Sequence, residues 1–395
     1  MSTLSSLEDL QRYYSLDACR RTNQLSVACY YFPHFQPSAL NDELYGGDWT
    51  EHLLRQAARP WFPGHRQPRT PLWGEQDESN PTVVAREIDA AADAGIGALI
   101  YDWYWYDGRP ALHEALENGF LRAPNRDRMK FAVMWCPHDW PYWTHDLLPN
   151  GSLTRPAAKS GPETIQDVRR SLTYVISRYF QEPNYWQLDG KPVVVIWELA
   201  RLQQLFGPGG VGDLLDDLRQ VARQLGHAGI HFHASCGGSG QLIDEFAAAG
   251  FDSYGDYSSI VAVHRRVADG RPTVKYGECA AEVVEHHWSE LEAASPLPYF
   301  PNIGAGWDTT PRFRAPDTWP PPCDWPGLPI VTDDTPSAFE ALVRAAIGYI
   351  NSRPATAPEV LTIGCFNEWT EGHYLLPDTD RGMGMLHALA SALKA

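Results

Sequence analysis

Two carboxylates stand three residues apart near the C-terminal end, in Phe366-Asn367-Glu368-Trp369-Thr370-Glu371-Gly372. An apolar run over 360–366 leads into them, and an indole, an amide, a hydroxyl and a glycine lie between and beside them. Glycosidic cleavage needs one group to give a proton and another to supply or relay a nucleophile. An acid beside an anion in apolar surroundings keeps its proton to higher pH. Glu368 and Glu371 have the spacing for that coupling and are the catalytic candidates. On an isolated helix the same pair would serve only the helix dipole. Here it follows a strand and brackets Trp369.

Acids and rings recur wherever an apolar run ends. Tyr31 and His34 follow the first run, Asp102 and Trp103 the second, Trp135 and His138 the third, and Trp197 and Glu198 the fourth. Asp256 and Tyr257, then Trp307 and Asp308, close two later ones, and Asn367 and Trp369 flank the acid pair. Asp102 and Glu198 could bind sugar hydroxyls or tune the pair, or could form ion pairs with a loop arginine. His34 and His138 could bond a hydroxyl. Trp103, Trp135, Trp307 and Trp369 are candidate sugar platforms, with core packing as the alternative. Aromatic residues occupy both faces of the run 101–106, which reads as the wall of a binding cleft. His231 and His233 precede the end of their strand, and His286-His287 sit mid-helix, where adjacent side chains diverge. No metal and no cofactor is therefore expected, and no elbow motif marks a Ser or Cys nucleophile.

Such a constellation needs a scaffold that brings many strand ends together. Apolar runs at 27–32, 98–101, 130–135, 192–197, 230–235, 251–257, 299–303 and 360–366 read as eight short strands. Helical spacing predicts helices over 81–94, opened by Asn80-Pro81, and over 111–121, 163–180, 214–225, 242–249, 278–293, 338–350 and 385–393. Continuous apolar strands alternating with helices predict an α/β fold, a single (β/α)₈ TIM barrel with long βα loops, in one domain over 1–395. A doubly wound sheet is the alternative, but no Gly-rich phosphate loop follows the first strand. In a barrel the active site lies at the C-terminal ends of the strands, where the acids and rings collect. Residues 37–79, 137–160 and 309–334, the last with seven prolines, read as loops that shape the cleft.

The chain has 395 residues, 44% hydrophobic and 21% charged, enough for a large core. Its net charge of −17 argues against nucleic acid or an anionic membrane as partner. The seven cysteines have irregular spacing, with no disulfide framework and no zinc ribbon. Residues 1–24 form a polar leader without an apolar signal core, and no run approaches the roughly 20 apolar residues that span a bilayer. A reduced, cytoplasmic protein acting on a carbohydrate is expected, with its oligomeric state left open.

Asn367-Glu368-Trp369-Thr370-Glu371-Gly372 on the last strand resembles glycoside hydrolase family 99, and more closely its WbsX-like relatives from polysaccharide gene clusters. Tyr30-Tyr31-Phe32-Pro33, Gly64-His65-Arg66-Gln67-Pro68-Arg69, Gly306-Trp307-Asp308 and Leu376-Pro377-Asp378 extend the resemblance to nearly the whole chain. It implies a TIM barrel acting on α-linked sugars, classically mannosides, with retention of configuration. It implies Glu368 as the base that takes the proton of the sugar 2-hydroxyl, giving an epoxide-like intermediate, and Glu371 as the acid/base. Two departures stand out: family 99 has His where this chain has Thr370, and His34 here precedes Gln36. Two other functions fit the same residues: sugar transfer to an acceptor, with Arg66 and Arg69 as the loop candidates for donor phosphates, and a binding barrel without catalysis.

Overall fold

The computed structural model describes residues 25–141, 157–197, 199–236, 243–322 and 326–394. Eight parallel strands close into a barrel: β1 (Ser26–Tyr31), β2 (Ala98–Tyr106), β3 (Lys130–Trp135), β4 (Lys191–Trp197), β5 (His231–Ser235), β6 (Ser253–Gly255), β7 and β8 (Val360–Gly364). β7 is interrupted at Pro301, which has no N–H for a ladder. Its first piece, Tyr299–Phe300, pairs with β6 and its second, Asn302–Gly304, with β8. β8 then pairs with β1, Val27 opposite Leu361, and the ring has no free edge.

Outside the barrel run α1 (Pro81–Asp93), α2 (Ile165–Tyr179), α3 (Leu199–Gln224), α4 (Ile243–Ala248), α5 (Ser259–Ala268), α6, α7 (Pro336–Ser352) and α8 (Gly384–Lys394). α6 runs from Tyr276–Glu282 through a wider turn, Val283–His287, into Trp288–Ala294. The helix starts follow ordinary capping chemistry. Asn80, Thr164, Ser258 and Thr335 each accept a first-turn N–H with the side chain, and Pro81 and Pro336 occupy positions whose N–H needs no partner. Among the described residues no helix is long and apolar enough to cross a membrane.

The expected boundaries shift where a turn or a hairpin wins. The run 111–121 is not one helix: Arg109–Ala111 folds back on the end of β2 as an antiparallel strand, and two short turns, Ala115–Gly119 and Phe120–Arg122, follow. The helix expected from residue 214 begins at Leu199 and breaks at Gly207, whose φ of 71° a helix cannot hold. α5 has no counterpart in the periodicity reading. Ser258 caps it, Val261 and Val263 are poor helix formers, and Asp269 ends it in the left-handed region at φ 47°. The segment 37–79 holds two short helices, Ala39–Tyr45 and His52–Ala57. Ile330–Thr332 of the Pro-rich stretch pairs with Thr273–Lys275.

Strand parity decides what faces the barrel axis. Successive side chains of a strand point to opposite sides. Asp102 lies opposite Met134 in the β2–β3 ladder, and both face inward. Trp103 lies opposite Trp135, and both face the helices.

Candidate functional site

A cavity of about 280 Å³ opens at the C-terminal end of the barrel. Phe32, Tyr104, Trp140, Trp197, Tyr257 and Trp307 form its aromatic walls, and Met134, Cys136 and Val261 add apolar surface. Asp102, Glu368, Glu371 and Arg312 supply charge, and His138 and Ser258 complete the lining.

The acid pair is presented by a tight hairpin beyond β8. Asn367–Glu368 pairs antiparallel with His373–Tyr374, Glu368 opposite His373, around the turn Trp369–Glu371. Gly372 closes that turn at φ 60°, and a Cβ there would come within 2.9 Å of the Asp308 side chain. Asn367 fixes the hairpin to the end of β1. Its Oδ1 accepts the Phe32 N–H at 2.8 Å, and its Nδ2 donates to Phe32 O at 2.7 Å and to Glu78 Oε1 at 2.6 Å. Asn367 is thus a clamp behind the acids and does not line the cavity.

Glu368 and Glu371 bring carboxylate oxygens within 4.8 Å of each other. Tyr257 donates its hydroxyl to Glu368 Oε2 at 2.8 Å, and Arg312 donates Nη2 to Glu368 Oε1 at 3.2 Å. Burial raises the Glu368 carboxyl above its usual range, while Arg312 and the Tyr257 hydroxyl oppose the rise. Glu371 is raised further, by burial and then by the neighbouring Glu368 charge. Its side chain keeps 14% of its surface open toward the cavity. Two raised acids in contact with one cation share their proton and titrate as a unit. Asp102 lies across from them with Oδ1 unpartnered, and burial and the Glu368 and Glu371 charges push its carboxyl well up.

Arg312 binds the hairpin from the turn Thr310–Arg312 of the Pro-rich segment. Its Nε donates to Glu51 Oε1 at 2.8 Å and to Thr370 Oγ1 at 3.0 Å, and Nη1 donates to Glu371. Burial works against the charge, but Glu51, Glu371 and Glu368 raise its affinity for the proton. Glu51, in turn fully buried, accepts from Thr370 and from His34 Nδ1. Burial alone would raise the Glu51 carboxyl, yet Arg312, His34 and Thr370 bring it down to about 2.

Of the residues singled out from sequence, Asp102, His138, Trp197, Tyr257, Trp307, Glu368 and Glu371 meet at the cavity. The other described candidates stand behind it or on the helix side of the barrel. Tyr31 has outward parity and donates its hydroxyl to Glu87 of α1 at 2.8 Å. Trp103 donates Nε1 to Tyr179 of α2 at 3.1 Å and stacks on Tyr174, and Trp135 shares its side of the ladder. The run 101–106 is therefore a cavity wall on one face only: Asp102 and Tyr104 look in, and Trp103 looks out. Trp369 is buried against Tyr374, 4.1 Å between ring centres. His34 is buried between Glu51 and Asn41. Asp308 accepts from His65 Nε2 at 2.8 Å, Gln67 Nε2 at 2.7 Å and the Thr310 hydroxyl at 2.6 Å. Despite burial those donors hold the Asp308 carboxyl at about 2, and they dock the Gly64–Arg69 segment onto the loop after β7. Glu198 lies outside the described residues.

Arg312 bonds both acids and is held in turn by Glu51 and Thr370, and sequence reasoning missed all three roles. The one local signal is a basic residue six positions after Gly306 at a strand exit. Among the described residues one trio, Glu368, Glu371 and His373, brings donor atoms within 4.8 Å of one another as a cation would require. The Arg312 guanidinium already occupies a cation's place beside two of them. His231 and His233 both bond Ser253, and His287 bonds Asp256 at 2.8 Å. Arg66 and Arg69 pair with Asp334, away from the acid cavity.

The barrel is similar to solved structures that differ widely in sequence. A GH99 endo-alpha-mannosidase from Bacteroides thetaiotaomicron superposes with TM-score 0.57 at 13% identity, over 94% of this chain and 97% of that one. A glycoside hydrolase-like protein superposes with TM-score 0.58 at 15% identity, over 99% and 100%. Both share the fold. An uncharacterized protein WxcX of Xanthomonas campestris pv. campestris is 22% identical over 391 residues, covering 96% of this chain. The chain spans about half, 51%, of the length of that relative. Residues 27–389, from β1 into α8, match one family along their whole length, and the chain belongs to that family, glycosyltransferase WbsX.

Proposed function

We propose that this protein is a glycan-processing enzyme, a retaining glycoside hydrolase acting on an α-linked glycan or glycoconjugate. The observation that carries the reading is the Glu368–Glu371 pair, with carboxylate oxygens within 4.8 Å of each other, held by Tyr257 and Arg312 beneath aromatic walls. Carboxyls this close leave no room for the water that an inverting pair must hold between them. The α-linkage rests on the fold shared with an endo-alpha-mannosidase. In the first step Glu368 takes the proton of the sugar 2-hydroxyl, that oxygen bonds to the anomeric carbon, and the glycosidic bond breaks as Glu371 protonates the leaving oxygen. In the second step Glu371 takes a proton from water, the water oxygen bonds to the anomeric carbon as its bond to the 2-oxygen breaks, and the 2-oxygen recovers its proton from Glu368. Asp102, carrying a proton, donates to a sugar hydroxyl.

Sugar transfer uses the same pair when an acceptor hydroxyl replaces water, and the family's description as a glycosyltransferase favours this second reading. A panel of α-linked aryl glycosides and oligosaccharides, followed by NMR of the first-formed anomer, tests both. The expected result is a retained α-product, and added acceptor alcohols divert product to new glycosides if transfer is the role. Glu371→Gln is expected to lower turnover on the order of 10²–10⁴-fold while ligand binding persists. Full activity in that variant, or an inverted product, overturns the assignment.

A further inference from the structure

Three carboxyl groups converge on one guanidinium beside the cavity. Glu51, Glu368 and Glu371 each accept a hydrogen bond from Arg312, and Asp102 lies within their field. Other groups packed against the pair are the Tyr257 hydroxyl, the Cys365 thiol, the His373 imidazole and, behind Glu51, His34. His373 opposes Glu368 across the hairpin, and burial pushes its imidazole down to about 3, so it adds no charge. Arg312 is therefore the positive charge that touches the acids directly.

The guanidinium is a rigid planar fork, so fixing one edge aims the other. Glu51 and the Thr370 hydroxyl fix the Nε edge, which leaves Nη1 for Glu371 and Nη2 for Glu368. Thr370 sits between the two acids in the chain and also donates to Glu51, so the turn that carries the pair is tied to the same anchor. Glu51 itself touches neither acid's proton and has no surface open to the cavity.

We propose that Glu51 and Thr370 are positioning residues that act through Arg312 to set which member of the acid pair holds the proton. The inference rests on the reading of Glu368 and Glu371 as the reacting acids. It gives Thr370, the departure from the family 99 pattern, a place in the site. Charge fixes the signs. The Glu51 anion favours protons on both acids, and the Arg312 cation disfavours them.

The test needs no sugar. The protein is labelled with ¹³C at the glutamate carboxyl carbon and titrated by NMR, with Glu368→Gln and Glu371→Gln assigning the two signals. Arg312→Gln is expected to move both titrations to higher pH by about one to two pH units, and Glu51→Gln, which frees the fork, to narrow the gap between them. A scaffold role alone would leave that gap unchanged. If Arg312→Gln does not fold, Arg312→Lys keeps the charge and loses the fork, and the two titrations are expected to draw together. Thr370→Ser is expected to restore the normal titrations and Thr370→Val to narrow the gap between them. An unchanged gap in Glu51→Gln, Arg312→Lys and Thr370→Val overturns the proposal. Because turnover is not read, that failure is distinct from an active Glu371→Gln, which would remove the acid-pair reading itself.

Discussion

Glu87 of α1 is fully buried, accepts the Tyr31 hydroxyl at 2.8 Å through Oε2, and has no partner for Oε1. Burial pushes its carboxyl up to about 7 from an ordinary 4.5, against the pull of the Tyr31 hydroxyl and Arg86, and Glu78 lies alongside. The fold therefore prefers the protonated form. Its stabilising contribution is complete below pH 4.5, shrinks as pH rises and is gone once pH passes about 7. At about 1.4 kcal/mol per pH unit, the loss is on the order of 3 kcal/mol. Glu87→Gln is a permanent copy of the protonated side chain and still accepts from Tyr31. It should match the wild type at pH 5 and exceed it at pH 8 by about that amount, a few degrees in Tm. Urea unfolding followed by tryptophan fluorescence at both pH values reads the difference directly. Groups away from Glu87 titrate alike in both proteins, and Glu78, raised in part by the Glu87 charge, is relieved in the variant, so the difference reads the Glu87–Glu78 pair. Parallel loss of stability in wild type and variant would refute the reasoning.

Two further outcomes follow from the site. Tyr257→Phe removes the hydroxyl donor to Glu368 and leaves the ring between Tyr30 and Trp197; kcat/KM should fall by roughly 10–100-fold, as for one charge-assisted hydrogen bond, with Tm little changed. Trp103→Phe and Trp197→Phe should separate by parity: the first loses the bond to Tyr179 and lowers Tm with KM unchanged, while the second trims a cavity wall and raises KM with Tm nearly constant. Steady-state kinetics beside thermal melts on the panel substrate reads each pair.

Much of the barrel was legible because parallel strands buried on both faces leave uninterrupted apolar runs. The predicted 130–135 strand matches Lys130–Trp135 residue for residue. The same property hid orientation. A strand that is apolar on both faces gives no alternation from which to tell inside from outside, so Trp103 and Asp102 looked equally poised at the exit. Partner information was missing too. Tyr31 belongs to the helix side because Glu87 waits there, and nothing local to 27–32 says so. α5, which brings Ser258 and Val261 to the cavity, was lost to β-branched residues that its capping overrides.

The residues that set the acids' chemistry were the least legible, and the reason is electrostatic. Three protonatable acids in one aromatic cavity cannot all ionise, so the site needs a cation near enough to choose among them yet too well held to displace them. A flexible lysine would pay rotamer entropy and could leave; an arginine locked at one edge cannot swing away. That lock requires an acid already committed to it, and Glu51 is such an acid, kept ionised by three donors. The anchor, the cation and the acid pair come from three separate loops, after β1, β7 and β8. Ring closure brings those three exits side by side, since β1 pairs with β8 and β8 with β7. A constellation assembled by closure leaves no spacing in the chain to read, and only the strand order predicts that a Pro-rich loop after β7 can reach acids after β8.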